Sequence, residues 1–262
     1  KFQKRDASDL VNKLPQLGKS TGYLSKNEHD INHKSKKFGT WVYPDLRLEL
    51  TDKDYIELKK YCKKLKIDFI VTPWDENSVN ALLKIGVDYL KIASIDATNY
   101  HFCEYVASKR KATIISTGMS TYKEILRTQS IFKKFKTPHI FLHCTSAYPT
   151  LPKEANLSAI ETIRNSLGCR TGWSDHTVEP GVIQRAIHKW EAAVIEFHLD
   201  LEGKGEEFET GHCWLPDQIE LVIKQVKRAV SADGKGIKEP VSSEMSDRIW
   251  RTDPSDGLRP LK

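Results

Sequence analysis

Two short segments end alike. Gly172-Trp173-Ser174-Asp175-His176-Thr177 and Val194-Ile195-Glu196-Phe197-His198 are both apolar runs that close on a histidine beside a carboxylate. Two imidazoles brought together suit Mn²⁺, Fe²⁺, Co²⁺ or Zn²⁺, with Asp175 or Glu196 as direct or supporting ligand. A lone histidine at such a place is more often a hydrogen-bonded part of the wall. Two on adjacent strand ends shift the balance toward a cation. His143 lies one run earlier but inside it, and reads as structural or as support behind a ligand.

Lys91 sits in Tyr89-Leu90-Lys91-Ile92-Ala93-Ser94, a lysine among apolar neighbours. Its amine can pair with an anion, form a Schiff base as in class I aldolases, or reach outward to water. Hydroxyls recur at the ends of successive runs: Thr72, Ser94, Ser116, Thr117, Ser146 and Ser174. With Lys1 and Lys91 they describe a pocket rich in donors and positive charge, as a phosphate or carboxylate requires. Gly118, directly after Ser116-Thr117, would let backbone N–H groups approach such an anion.

These residues need elements that carry them to one place. Strand-like runs (67–72, 88–94, 112–118, 139–146, 169–175, 193–198) alternate with helix-like stretches (77–85, 122–135, 156–165, 178–190). Near-continuous apolar strands separated by helices indicate parallel strands buried on both faces. A closed (β/α)₈ barrel and an open doubly wound sheet share that rhythm, but no GxGxxG turn is present. The polar clusters fall at nearly every strand end, and only a barrel brings all of those ends to one mouth. A (β/α)₈ TIM barrel is therefore expected as a single domain over 1–262. Six strands plus the opening Lys1-Phe2-Gln3 make seven, so the first βα unit is expected upstream of Lys1. The polar stretch 6–50 reads as a loop over the mouth, and the tail from about 231 as irregular.

The 262 residues are 39% hydrophobic and 29% charged, which suits a packed core. The net charge of +6 sits largely in lysine runs without a basic-aromatic motif, so nucleic acid is not the expected partner. No apolar run of about eighteen residues suggests a membrane span. Five cysteines, widely spaced and without a CxxC pair, point to reduced thiols and a cytoplasmic location.

In order and spacing, Lys1-Phe2-Gln3, Thr72-Pro73-Trp74-Asp75, Tyr89 to Ser94, Ile114 to Met119, Leu142 to Thr150, Gly172 to Thr177 and Ile195 to His198 resemble the sialic acid (N-acetylneuraminate) synthase family. The resemblance runs from Lys1 to about His198. It implies condensation of phosphoenolpyruvate with an N-acetylated hexosamine aldehyde, giving a nine-carbon 2-keto sugar acid and phosphate. By the same resemblance Lys1, Thr72, Lys91, Ser94, Ser116, Ser146 and Ser174 hold phosphoenolpyruvate, and His176 and His198 hold a divalent metal, Mn²⁺ before Mg²⁺ or Co²⁺. Gln3, Asp96 and Tyr148 face the acceptor sugar, and Glu196 matches a family carboxylate beside the metal; Lys91, Glu196 and Asp175 are the expected catalytic residues. Lys91 then acts as a fixed cation. The family's C-terminal antifreeze-like domain has no counterpart here, Arg251 or Arg259 being the expected substitutes for its arginine, and a homodimer is compatible with the family. His212 reads as a surface histidine, with replacement ligand or sugar contact as the alternative. The rival readings are a class I sugar-acid aldolase using Lys91 and a non-catalytic sugar-binding barrel.

Overall fold

Alternation of side chains along a strand puts every second residue on one face, and here the two faces have different jobs. In the computed structural model, which describes residues 2–4 and 50–260, the apolar runs form strands β1 (Phe2–Lys4), β2 (Ile70–Pro73), β3 (Tyr89–Ile92), β4 (Thr113–Ser116), β5 (His139–Cys144), β6 (Thr171–Asp175), β7 (Ile195–Leu199) and β8 (Cys213–Trp214). They pair in chain order, and every pairing is parallel. The architecture is α/β and TIM-barrel-like. Seven strands match the sequence reading. The short β8 escapes it, because two residues carry no readable alternation.

Helices α1 (Asp52–Leu65), α2 (Glu76–Ile85), α3 (Tyr100–Ser108), α4 (Tyr122–Lys134), α5 (Ala159–Leu167) and α6 (Pro180–His188) connect successive strands. Their ends follow local chemistry. Thr51 with Asp54 and Thr121 with Glu124 form reciprocal capping boxes, and Asp75 accepts the Ser78 N–H at the start of α2. The short α7 (Glu206–Glu209) precedes β8.

The helix-facing side of the sheet carries Val71, Leu90, Ile92, Ile115 and Phe141, which pack with Tyr55, Val79, Leu82, Phe102, Val106 and Phe132. A second cluster joins Trp173 to Ile160 and Ala186. Each buried valine, leucine, isoleucine or phenylalanine among them contributes about 1.5–3 kcal/mol. Stability therefore rests on the outer face, which allows the inner face to carry lysine, serine and glutamate. Residues from Asp217 onward form a second compact unit. It contains most of α8 (Pro216–Ser231) and then only short 3₁₀ turns, with Asp253 accepting from the Gly257 N–H at 2.9 Å. Arg251 and Arg259 belong to this second unit.

Candidate active site

Lys91 lies between Leu90 and Ile92, whose side chains serve the outer core, so its own side chain turns inward. There it is 3% exposed and makes an ion pair with the Glu196 carboxylate at 3.2 Å. The same amine donates to Ser116 Oγ at 2.7 Å, and Ser116 donates to Glu196 Oε2 at 3.2 Å. The register explains the meeting. Lys91 is level with Ile114, two residues below Ser116, and the lysine stem spans that rise. Ser174 on β6 pairs with Cys144 on one side and Glu196 on the other, so β5, β6 and β7 present these three groups at one level.

Around this clamp stand the remaining hydroxyls. Thr72 is fully buried, and its Oγ1 has no hydrogen-bond partner among the described residues. A buried hydroxyl left so costs free energy unless a ligand or water engages it. Gly118 serves the site differently from the expectation. Its N–H donates to Ser94 Oγ at 3.0 Å rather than standing ready for an anion. What matters is its missing side chain: a Cβ there would lie 2.1 Å from Ser146 Oγ and 2.9 Å from Ser94 Oγ. Burial pushes the Cys144 thiol up, opposed by hydrogen bonds with Ser94 and Ser174.

Three imidazoles gather, from the residue after β6, from within β7 and from the residue before β8. The rings of His176 and His198 are 5.2 Å apart, and His212 lies 4.7 Å from His198 and 6.3 Å from His176. The Tyr148 ring covers His176 at 4.2 Å. That loop is held by Thr150, whose N–H donates to the His176 carbonyl at 2.9 Å and whose hydroxyl closes back on Ala147. Burial pushes the Tyr148 phenol up to about 12. His176 Nδ1 faces the Thr145 carbonyl at 2.8 Å. A carbonyl only accepts, so Nδ1 carries the proton and Nε2 keeps the lone pair, the tautomer a metal ligand needs.

His212 is 4% exposed, which corrects the reading of it as a surface histidine. Its position after an irregular loop gave no periodicity from which burial could be read. Burial lowers its pKa, opposed by Glu207 and reinforced by His176. His198, His212 and Cys213 have ligand atoms within 4.8 Å of one another, a group able to hold a metal ion.

Asp175 turns the other way. It is fully buried, and its carboxylate accepts from Trp173 Nε1 at 3.0 Å, Trp214 Nε1 at 3.1 Å, Thr177 Oγ1 at 2.8 Å and the N–H groups of Thr177 and Val178. These donors lie behind β6, since Trp173 belongs to the outer core. His143 also belongs to the wall, its Nε2 meeting the Ala155 carbonyl at 3.0 Å. Asp96 ends the turn after β3, and its Oδ1 accepts from Asn99 at 3.5 Å. Gln3 pairs through its backbone with Thr72, and Lys1 lies outside the described residues. All five cysteines are free thiols, and no helix among the described residues is long and apolar enough to cross a membrane.

Comparison with known proteins adds independent findings. The NeuB family profile matches residues 1–238. An uncharacterized protein of Methanocaldococcus jannaschii is 35% identical over 199 residues, 75% of this chain and 58% of that protein. The N,N'-diacetyllegionaminic acid synthase of Legionella pneumophila is 30% identical over 254 residues, 95% of this chain and 68% of that enzyme. Among solved structures, an N-acetylneuraminic acid synthetase from Leptospira borgpetersenii, in complex with citrate, superposes with a TM-score of 0.71 at 31% identity. That match covers 94% of this chain and 78% of the other.

Proposed function

The chain belongs to the NeuB family, and we propose that it condenses phosphoenolpyruvate with the open-chain aldehyde of an N-acetylated hexosamine, releasing phosphate and a nine-carbon 2-keto sugar acid. The observation that carries this reading is the buried Lys91–Ser116–Glu196 cluster on the same inner face as the His176–His198 pair. One half suits an anion; the other suits a cation.

In this mechanism Lys91, Ser116, Ser94, Ser146, Ser174 and Thr72 bind phosphoenolpyruvate, with Lys1 joining them. The Lys91 ammonium and the hydroxyls hold its carboxylate and phosphate as charge-assisted donors. Lys91 acts as a cation, in keeping with its ion pair to Glu196, and forms no imine. His176 and His198 would hold the divalent ion, proposed as Mn²⁺. When bound, it supplies Lewis-acid polarisation of the aldehyde oxygen. Tyr148, Asp96 and Gln3 position the sugar, Tyr148 from its place over the His176 ring. C3 of phosphoenolpyruvate forms the new C–C bond as the aldehyde π electrons pass to its oxygen, and positive character develops at C2. The aldehyde oxygen is finally protonated by the hydrogen that Glu196 takes from water in the next step. Water adds at C2, Glu196 taking its proton; the bond from C2 to the phosphate oxygen then breaks and the keto group forms. Asp175 holds the end of β6, and with it His176, in register. Much of the rate advantage comes from aligning the two substrates.

On this reading one barrel domain carries the site, and the enzyme works in the cytoplasm, as free thiols suit, alone or as a homodimer. The test is phosphate release from phosphoenolpyruvate with Mn²⁺ across a panel of N-acetylated hexosamines. Release with one sugar, lost in His176→Ala, is the expected result. A panel without release, on protein that does not bind phosphoenolpyruvate, overturns the synthase reading.

A further inference from the structure

Behind the pair assigned to the substrate-facing ion lies a second set of ligands. His198 on β7 pairs in register with Cys213 on β8, so both side chains leave the same face at one level. His212 precedes Cys213 and is buried beside them. The ligand atoms of His198, His212 and Cys213 lie within 4.8 Å of one another. Tetrahedral ligands at ordinary zinc bond lengths stand about 3.5 Å apart. His198 is exposed, so its ring is the member that can turn to close the difference.

The hydrogen bonds around His212 indicate which nitrogen faces outward. The Thr210 hydroxyl donates its single hydrogen to the Glu207 carbonyl at 2.6 Å. That hydroxyl also meets His212 Nδ1, so Nδ1 must donate to it. In the neutral ring Nε2 therefore holds the lone pair, and it faces the Glu207 carboxylate at 3.5 Å. Both are acceptors, so a cation or a proton suits the gap between them. Cys213 Sγ, nearby, has the Glu207 carbonyl as its partner at 3.7 Å. Two imidazoles and a thiol thus lie together at β7 and β8, with the exposed Glu207 carboxylate of α7 beside His212.

We propose that His198, His212 and Cys213 bind a thiophilic divalent ion such as Zn²⁺, with Glu207 able to complete the set. A thiolate in the donor set selects Zn²⁺ or Co²⁺ over Mn²⁺ or Mg²⁺. The Cys213 proton passes to solvent on binding. The site shares His198 with the pair assigned above. On the synthase reading, Zn²⁺ held here withdraws His198 from the Mn²⁺ position and inhibits.

The test is titration of the metal-free full chain with Co²⁺, followed by absorption. The expected result is a thiolate-to-cobalt charge-transfer band that Zn²⁺ bleaches, lost in Cys213→Ser and retained in Cys169→Ser. His212→Gln is expected to weaken Zn²⁺ binding by about tenfold or more, and circular dichroism checks that both variants stay folded. Co²⁺ bound without the band, a band that survives Cys213→Ser, or no Co²⁺ binding overturns the site. Mn²⁺-dependent phosphate release without the band removes this site and leaves the synthase reading. The band without phosphate release does the reverse.

Discussion

The two faces of β6 differ by one residue in sequence and by their whole chemistry. Asp175, on the outer side, is surrounded by five donors from the protein itself. Ser174, on the inner side, stands level with Glu196 and Cys144 among groups drawn from other strands. A carboxylate whose lone pairs are all engaged by tryptophan, threonine and backbone N–H groups holds a wall in place. The inner groups meet one another from strands distant in sequence, as the ion pair between Lys91 and Glu196 does. Residue type does not separate these roles; direction does.

The sharpest way to break that contrast is Lys91→Met. Loss of a buried cation from the inner clamp should lower kcat/KM by about 10³-fold, a magnitude typical of removing a charge-stabilising donor, while far-ultraviolet circular dichroism stays unchanged. A variant with near-parent kcat/KM would remove Lys91 from substrate binding. Asp175→Asn attacks the outer side. An amide NH₂ cannot accept from every donor now pointing at Asp175, and a buried orphan costs about 1–3 kcal/mol. Urea unfolding should show that loss, and an unchanged midpoint would mean the five donors find other partners.

Gly118→Ala sharpens the inner face. Its new methyl must push aside the Ser146 and Ser94 hydroxyls. The expected effect is a rise in KM for phosphoenolpyruvate of about tenfold, roughly 1.4 kcal/mol, with kcat changed less. Equal KM values would show that neither hydroxyl touches substrate. The smallest effect belongs to two half-buried histidines. Burial holds His139 and His143 below the usual 6.5. The unfolded chain therefore takes up protons that the folded chain refuses. Stability is full above 6.5 and declines as pH falls below it. Melting temperature measured on either side of that value checks the direction, and an increase on acidification would contradict it.

Much of the fold was legible. The strand runs at 67–72 and 193–198 alternate with helices whose caps, Thr51 with Asp54 and Thr121 with Glu124, are local events within four residues. Hydroxyls and histidines at strand ends were legible for the same reason, since parallel strands place their C-terminal ends together. The β8 strand was not, being only two residues long, and neither was the burial of His212, which depends on Tyr148, His176 and His198 closing over it.

From the chain alone came the alternation of strands and helices, the identity of the polar groups near the strand ends, and the order in which they occur. Those follow from side-chain chemistry and short-range spacing. Only the folded chain decided that Asp175 faces the wall, that Gly118 works by lacking a side chain, and that His212 and Cys213 reach His198. Each of these depends on register between strands and on the direction of a side chain, and both are set by partners far away in sequence.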